Sequence, residues 1–242
     1  MVELIIHDLS KKFGNQILFS NFSQTFITGE CIAITGTNGS GKSTFLQILS
    51  GYTQPASGEI VLLENGEKII SGEYYKKMAF AAPYLDLPGE LSIREVFRLH
   101  QSLGKIRSEL GETEMLQMAG ATFYADRPIK YFSSGMLQRA KLTLAFSSSG
   151  TILFLDEPTA AVDVQSRNSI MQVLKEMNRQ GTTIIYTSHL MDEAQHFCTK
   201  VGIIDSGRLV EQGIPEELIH KYAGVHSLEE LFLKITGKRL RD

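Results

Sequence analysis

Apolar positions along this chain follow two rhythms. Short unbroken apolar or β-branched runs at residues 31–35, 151–155 and 182–187 predict buried strands. Further strands are expected at 3–8 and 19–26 around a Gly14-Asn15 turn, at 59–63, at 77–81, and at 201–205 and 208–211 across Ser206-Gly207. Helical spacing marks 45–49, 92–103, 112–118, 165–179, 192–197, 215–222 and 227–235, and a further helix opens near residue 133 and runs to Phe146. Ser92 with Glu95 forms a capping box, Gly51 fits a helix C-terminus, and Pro215 suits a first turn. Strands alternating with helices predict an α/β fold. Residues 85–147 are a helical insertion between two β-rich parts. They separate two strands, 31–35 and 151–155, that a parallel sheet would set close together.

Composition narrows the class. The 242 residues suffice for one large domain with a subdomain. Hydrophobic residues at 43% and charged residues at 21% are ordinary for a soluble globular chain. A net charge of −3 argues against a nucleic-acid surface. No apolar run reaches membrane-spanning length, and the acidic N-terminus reads as a strand, not a signal peptide. No internal repeat or low-complexity tract is evident. Cys31 and Cys198, far apart in sequence, make neither a metal pattern nor a disulfide framework. That suits a reducing compartment.

The chemistry concentrates after the first buried strand. Gly36-Thr37-Asn38-Gly39-Ser40-Gly41-Lys42-Ser43-Thr44 fits the phosphate-loop pattern and lies between a strand and a helix. Glycines let the backbone approach phosphates, and amides at a helix N-terminus form an anion nest. Lys42 adds a point charge, and the Ser43 hydroxyl is placed to ligate Mg²⁺. A second block, residues 151–158, ends a strand on Asp156 and Glu157. Ligands of open α/β sheets bind at strand C-termini. Asp156 is there the expected Mg²⁺-side carboxylate, and Glu157 the general base for water.

His189 also lies past a strand end, with a packed role or a functional one open to it. Phe13, beside the Gly14 turn, fits either a base-stacking ring or hairpin packing. Ser133, Ser134 and Gly135 open a helix and read as an N-cap or as a second anion site.

The order of these motifs, over about residues 2–222, resembles the ATP-binding cassette (ABC) ATPases, the nucleotide-binding subunits of ABC transporters. Residues 36–44 resemble their Walker A loop, 152–156 the Walker B strand and 161–163 the D-loop. Glu157 resembles the catalytic glutamate, His189 the switch histidine and Phe13 the adenine-stacking aromatic.

Residues 132–136 resemble the signature Leu-Ser-Gly-Gly-Gln, whose Ser133 and Gly135 would bind the γ-phosphate of ATP held by a second copy. The resemblance implies a P-loop NTPase (RecA-like) core with an antiparallel β-subdomain (1–84 and 148–224), an inserted helical signature subdomain (85–147) and a C-terminal helical tail (225–242). It implies ATP and Mg²⁺, a head-to-tail dimer of cassettes, and a separate transmembrane permease at the cytoplasmic face of the cell membrane, with no nucleic acid. A soluble cassette working on a soluble scaffold is the alternative. In transporters a groove between the subdomains receives a short helix of the membrane protein, with Tyr84, Leu85, Leu87 and Val96 as its candidate lining here.

Two departures stand out. The signature reads Ser133-Ser134-Gly135-Met136, without its second glycine and glutamine. The family's Q-loop glutamine falls on Pro83, which has no side-chain oxygen for Mg²⁺ or water. Losing about 1.4 kcal/mol there would slow hydrolysis roughly tenfold.

Overall fold

The computed structural model describes residues 1–107, 110–160 and 162–237. The basic end of the chain (Lys238, Arg239, Arg241) and Ala161 of the expected D-loop lie outside the described residues.

Among the described residues, ten strands form two sheets. In the first, β1 (Val2–Phe13), β2 (Gln16–Ile27), β4 (Ser57–Glu64) and β5 (Glu67–Lys68) pair antiparallel in the order β2-β1-β4-β5. The second contains β3 (Cys31–Gly36), β6 (Met78–Ala81), β7 (Ile152–Asp156), β8 (Thr183–Thr187), β9 (Lys200–Asp205) and β10 (Arg208–Gly213). Its order is β10-β9-β3-β8-β7-β6, parallel except for the β9–β10 hairpin. The two strands expected to be close neighbours, β3 and β7, are separated by β8. β8 therefore contributes its own C-terminal end to the ligand edge, between those of β3 and β7.

Helices connect these strands: α1 (Lys42–Leu49), α2 (Ser71–Tyr74), α3 (Ile93–Ser102), α4 (Glu112–Met118), α5 (Ser134–Phe146), α6 (Val164–Arg179), α7 (Met191–Phe197), α8 (Pro215–Lys221) and α9 (Leu228–Thr236). Successive side chains of a strand point to opposite faces, and the buried residues divide accordingly. Ile32, Ile34, Phe154 and Ile185 pack with α1 and with Phe19, Phe22 and Phe26 of β2, so the antiparallel sheet shares a core with the parallel one. Ala33, Leu153, Leu155, Ile184 and Tyr186 pack on the other face with α6 and α7. Leu228, Leu231 and Phe232 of α9 belong to this second cluster, so the C-terminal helix is docked rather than free.

Residues 93–144 supply a third cluster of their own, around Phe97, Met115 and Leu116. Its first helix starts on the expected capping box, with Ser92 and Glu95 each closing on the other's backbone. Val96, a candidate for the groove, is instead buried inside this cluster. The cysteines that looked unrelated meet: the sulfurs of Cys31 and Cys198 are 4.0 Å apart as free thiols.

Candidate active site

The glycine loop joins the end of β3 to α1. Gly36 has a φ of 155°, and a Cβ on it would sit 2.1 Å from the Ile204 carbonyl oxygen of the neighbouring strand, so no other residue fits. Gly41 has a φ of 104° immediately before α1, and a Cβ there would run into the Phe19 ring 2.6 Å away. That close approach seats the β1–β2 hairpin against the loop. Phe13 lies at the end of β1 in this hairpin, 55% exposed, with the Lys11 ammonium 5.0 Å from its ring centre. It belongs to none of the buried clusters of the described residues.

Lys42 is buried, and its Nζ donates to the Gly36 and Thr37 carbonyls at 2.9 and 3.0 Å, so the ammonium lies inside the loop it closes. Burial lowers its pKa, and the charges of Glu157 and Asp156 oppose that shift. Ser40 Oγ is buried in the same loop without a hydrogen-bond partner, a donor for an anion entering there. Thr37 is buried, while Asn38 and Gly39 face solvent at the tip and Thr44 is already within α1.

The two acids meet this loop through α1 and β8. Ser43 Oγ donates to Asp156 Oδ1 at 3.0 Å. Thr187 Oγ1 donates to the same oxygen at 2.5 Å and accepts from the Glu157 amide at 2.9 Å. Glu157 is held in the left-handed region, with a φ of 49°, a conformation that strains a non-glycine residue and clusters at functional sites. Its Oε2 lies 2.8 Å from His189 Nδ1. An ionised carboxylate only accepts, so Nδ1 carries the proton and Nε2 is left to face a ligand. Beyond them, Thr159 Oγ1 donates to Glu193 Oε2 at 2.9 Å, and Arg167 faces Glu193 as an ion pair at 3.2 Å without hydrogen-bond alignment.

Thus Lys42, Ser43, Asp156, Glu157 and His189 come together. Ser133 and Gly135 stand apart from them at the start of α5, where Ser133 Oγ caps its own helix by accepting from the Met136 amide at 3.3 Å. Space around a Cβ on Gly135 is open to 4 Å. The N-cap reading of Ser133 therefore holds within one chain, and its hydroxyl hydrogen stays available to an outside acceptor.

Sequence reasoning missed Thr187, which links Asp156 to Glu157. The usable signal was its place at the C-terminal end of a buried strand, on the same edge as Asp156. Tyr84, a candidate for the groove, is 41% exposed, its ring centre 6.3 Å from that of Phe80. Burial pushes its phenol up to about 12.

A hard cation fits these oxygens. Among the described residues no group of three acidic, histidine or cysteine side chains could hold a metal ion by itself. One carboxylate and one hydroxyl, completed by phosphate and water oxygens, is the donor set Mg²⁺ favours.

Known proteins share this architecture. The profile of a family described as ABC transporter matches residues 19–160. The linearmycin resistance ATP-binding protein LnrL of Bacillus subtilis is 31% identical over 243 residues, covering 93% of this chain and 76% of that protein. The Nod factor export ATP-binding protein I of Cupriavidus metallidurans is 32% identical over 231 residues, with coverage of 93% and 76%. Among solved structures, an ATP-binding subunit of an ABC transporter superposes with a TM-score of 0.84 at 25% identity, covering 96% of this chain and 99% of that one. The dimeric bacterial ABC transporter cassette MJ0796 gives a TM-score of 0.76 at 25% identity, covering 87% and 98%. Phosphate loop, acid pair and sheet order thus coincide with sequence likeness over nearly the whole chain, and the chain belongs to the ABC transporter family, as an ATP-binding, ATP-hydrolysing subunit.

Proposed function

We propose that two copies close head to tail around two ATP molecules, and that hydrolysis drives a separate membrane-spanning permease at the cytoplasmic face of the cell membrane. One observation carries the assignment of roles. An unbroken run of hydrogen bonds connects Ser43, Asp156, Thr187, Glu157 and His189.

In this reading the Walker A amides of residues 36–44 cradle the phosphates, Lys42 meets the β and γ oxygens, and Phe13 stacks on adenine. Ser43 and Asp156 hold Mg²⁺, which when bound supplies positive charge to the phosphate oxygens. Glu157, aimed by its left-handed backbone and by His189, takes a proton from the attacking water. Lys42 stabilises the charge that spreads over the γ-phosphate, joined by His189 when its Nε2 carries a proton as well as Nδ1. Ser133 and Gly135 of the second copy complete each site, across the open ground in front of α5. Losing the γ-phosphate removes what both copies share, and the pair opens.

Residues 1–84 with 148–224 serve as the nucleotide core and 85–147 as the signature subdomain, supported by the separate buried cluster of residues 93–144. A separate permease is supported by the family and by the absence, among the described residues, of a helix long and apolar enough to span a membrane. The names of the relatives, one a resistance and one an export ATP-binding protein, favour export and transport over work on a soluble scaffold.

The test is Glu157→Gln. It should bind MgATP, barely hydrolyse it and elute as a dimer, with the dimer lost when Lys42→Ala is added. A variant that stays monomeric at saturating MgATP, by light scattering after gel filtration, refutes the shared-site reading.

A further inference from the structure

The two cysteines of the sequence, 167 positions apart, meet at one end of the parallel sheet. Cys31 opens β3, and Cys198 stands between α7 and β9. The main chain beside them is fastened twice. Thr199, next to Cys198, donates its amide to the Cys31 carbonyl oxygen at 2.9 Å, and its Oγ1 accepts from the Cys31 amide at 2.9 Å. The sulfurs are 4.0 Å apart, which leaves about 2 Å to close for a disulfide bond.

The two thiols are not equivalent. Cys31 is 1% exposed and lies in the buried cluster beneath α6 and α7. Cys198 is partly buried at the edge of that cluster, so a reagent in solution reaches it first. Weak hydrogen bonds run through its sulfur. The Cys31 thiol donates to it, and it donates to the Tyr186 hydroxyl oxygen at 3.2 Å. Tyr186 is fully buried, which keeps its phenol protonated. When Cys198 gives up its proton, both neighbours can turn a hydrogen toward the sulfur. The result is a supported thiolate, the nucleophile of thiol–disulfide exchange.

We propose that Cys31 and Cys198 are a covalent modification site, a dithiol that small disulfides such as oxidised glutathione convert to an intramolecular disulfide. The Cys198 thiolate attacks one sulfur of the reagent, whose S–S bond breaks and releases one thiolate. Cys31 then loses its proton to solvent, attacks the Cys198 sulfur and expels the second thiolate. Two protein thiols are oxidised, and one small disulfide is reduced to two thiols. The bridge fastens the start of the strand that feeds the phosphate loop to the end of the helix that follows His189. It lies at the opposite end of β3 from Gly36, about 16 Å along the strand, and outside the residues assigned to ATP.

The test exposes the reduced full chain to excess oxidised glutathione and follows it by intact mass and by peptide mapping without reduction. The native chain should lose two hydrogens, keep no glutathione and yield peptides joined through residues 31 and 198. Cys31→Ala should stop at one glutathione on Cys198, because no second thiol expels it. Cys198→Ala should stay unmodified over the same time, because the remaining thiol is enclosed. In denaturing urea the native placement is gone, and the unmutated chain should accumulate glutathione on both cysteines instead.

A native chain that retains glutathione, links to a second copy or keeps both thiols free overturns the inference. A bridge that forms as fast in urea as in the native state overturns it too, as does modification of Cys31 in Cys198→Ala at the rate of the unmutated chain. If Cys31→Ala does not fold, Cys31→Ser takes its place.

Discussion

Thr187 occupies the junction between the acid that meets the cation and the acid that meets the water. Its hydroxyl donates a hydrogen bond to the Asp156 carboxylate and accepts one from the Glu157 main-chain amide, so one oxygen ties the first side chain to the backbone of the second. Thr187→Val keeps the branched shape and removes both bonds. ATP turnover should fall about 10–100-fold, the range seen when groups orienting a metal ligand are lost. Binding of a fluorescent ATP analogue in EDTA should stay as it is. The phosphate loop and the Asp156-Glu157 pair were legible because each is a contiguous run in which residue type and local geometry require one another. Thr187 and Lys141 were not, because each acts through partners contributed by other segments of the chain: Lys141 Nζ, on α5, donates to the Pro83 carbonyl oxygen in the loop after β6 at 2.5 Å. Lys141 even looks out of place on a helix whose following residues, from Leu142 to Phe146, are all buried.

Elements with a strong local rhythm were read with little error. The helix expected at 92–103 runs from Ile93 to Ser102 behind its capping box, and that expected at 112–118 has those bounds. Sheet order was less accessible, since strand neighbours are chosen by packing between distant segments. The insertion is clasped by ion pairs. Arg94 binds Asp126 at 2.7 Å and also Glu112, which Arg98 reaches at 2.6 Å. Hydrogen bonds from Arg98 lower the Glu112 pKa, and those from Arg94 lower that of Asp126. A carboxylate with a lowered folded pKa stabilises the fold above its unfolded value and loses that contribution as pH falls through the folded value. The clasp should therefore be intact at neutral pH and fail only below the ordinary carboxylate values of 4.5 and 3.8. Amide hydrogen exchange in α3 and α4 should accelerate there. Arg94→Met should show the faster exchange at pH 7 already.

At the scale of the molecule, two buried clusters of the described residues pack on the sheets, a third fills the helical insertion, and the C-terminal helix closes one of the first two. Sequence periodicity identified that helix but could not show its docking, because an amphipathic face does not name what covers it. Phe232, 1% exposed, fills the space against α7 and α8. Phe232→Ala should destabilise the fold by about 3–5 kcal/mol, read as a lower urea midpoint. The tie between α5 and the loop after β6 has an unequal inheritance. Its acceptor is a main-chain oxygen, which all twenty amino acids possess, whereas its donor is one particular side chain. Codon 83 can drift without severing the link, whereas codon 141 must keep encoding a donor that reaches the oxygen. A substitution at the proline leaves the acceptor in place, so what the connection depends on is the side chain at 141.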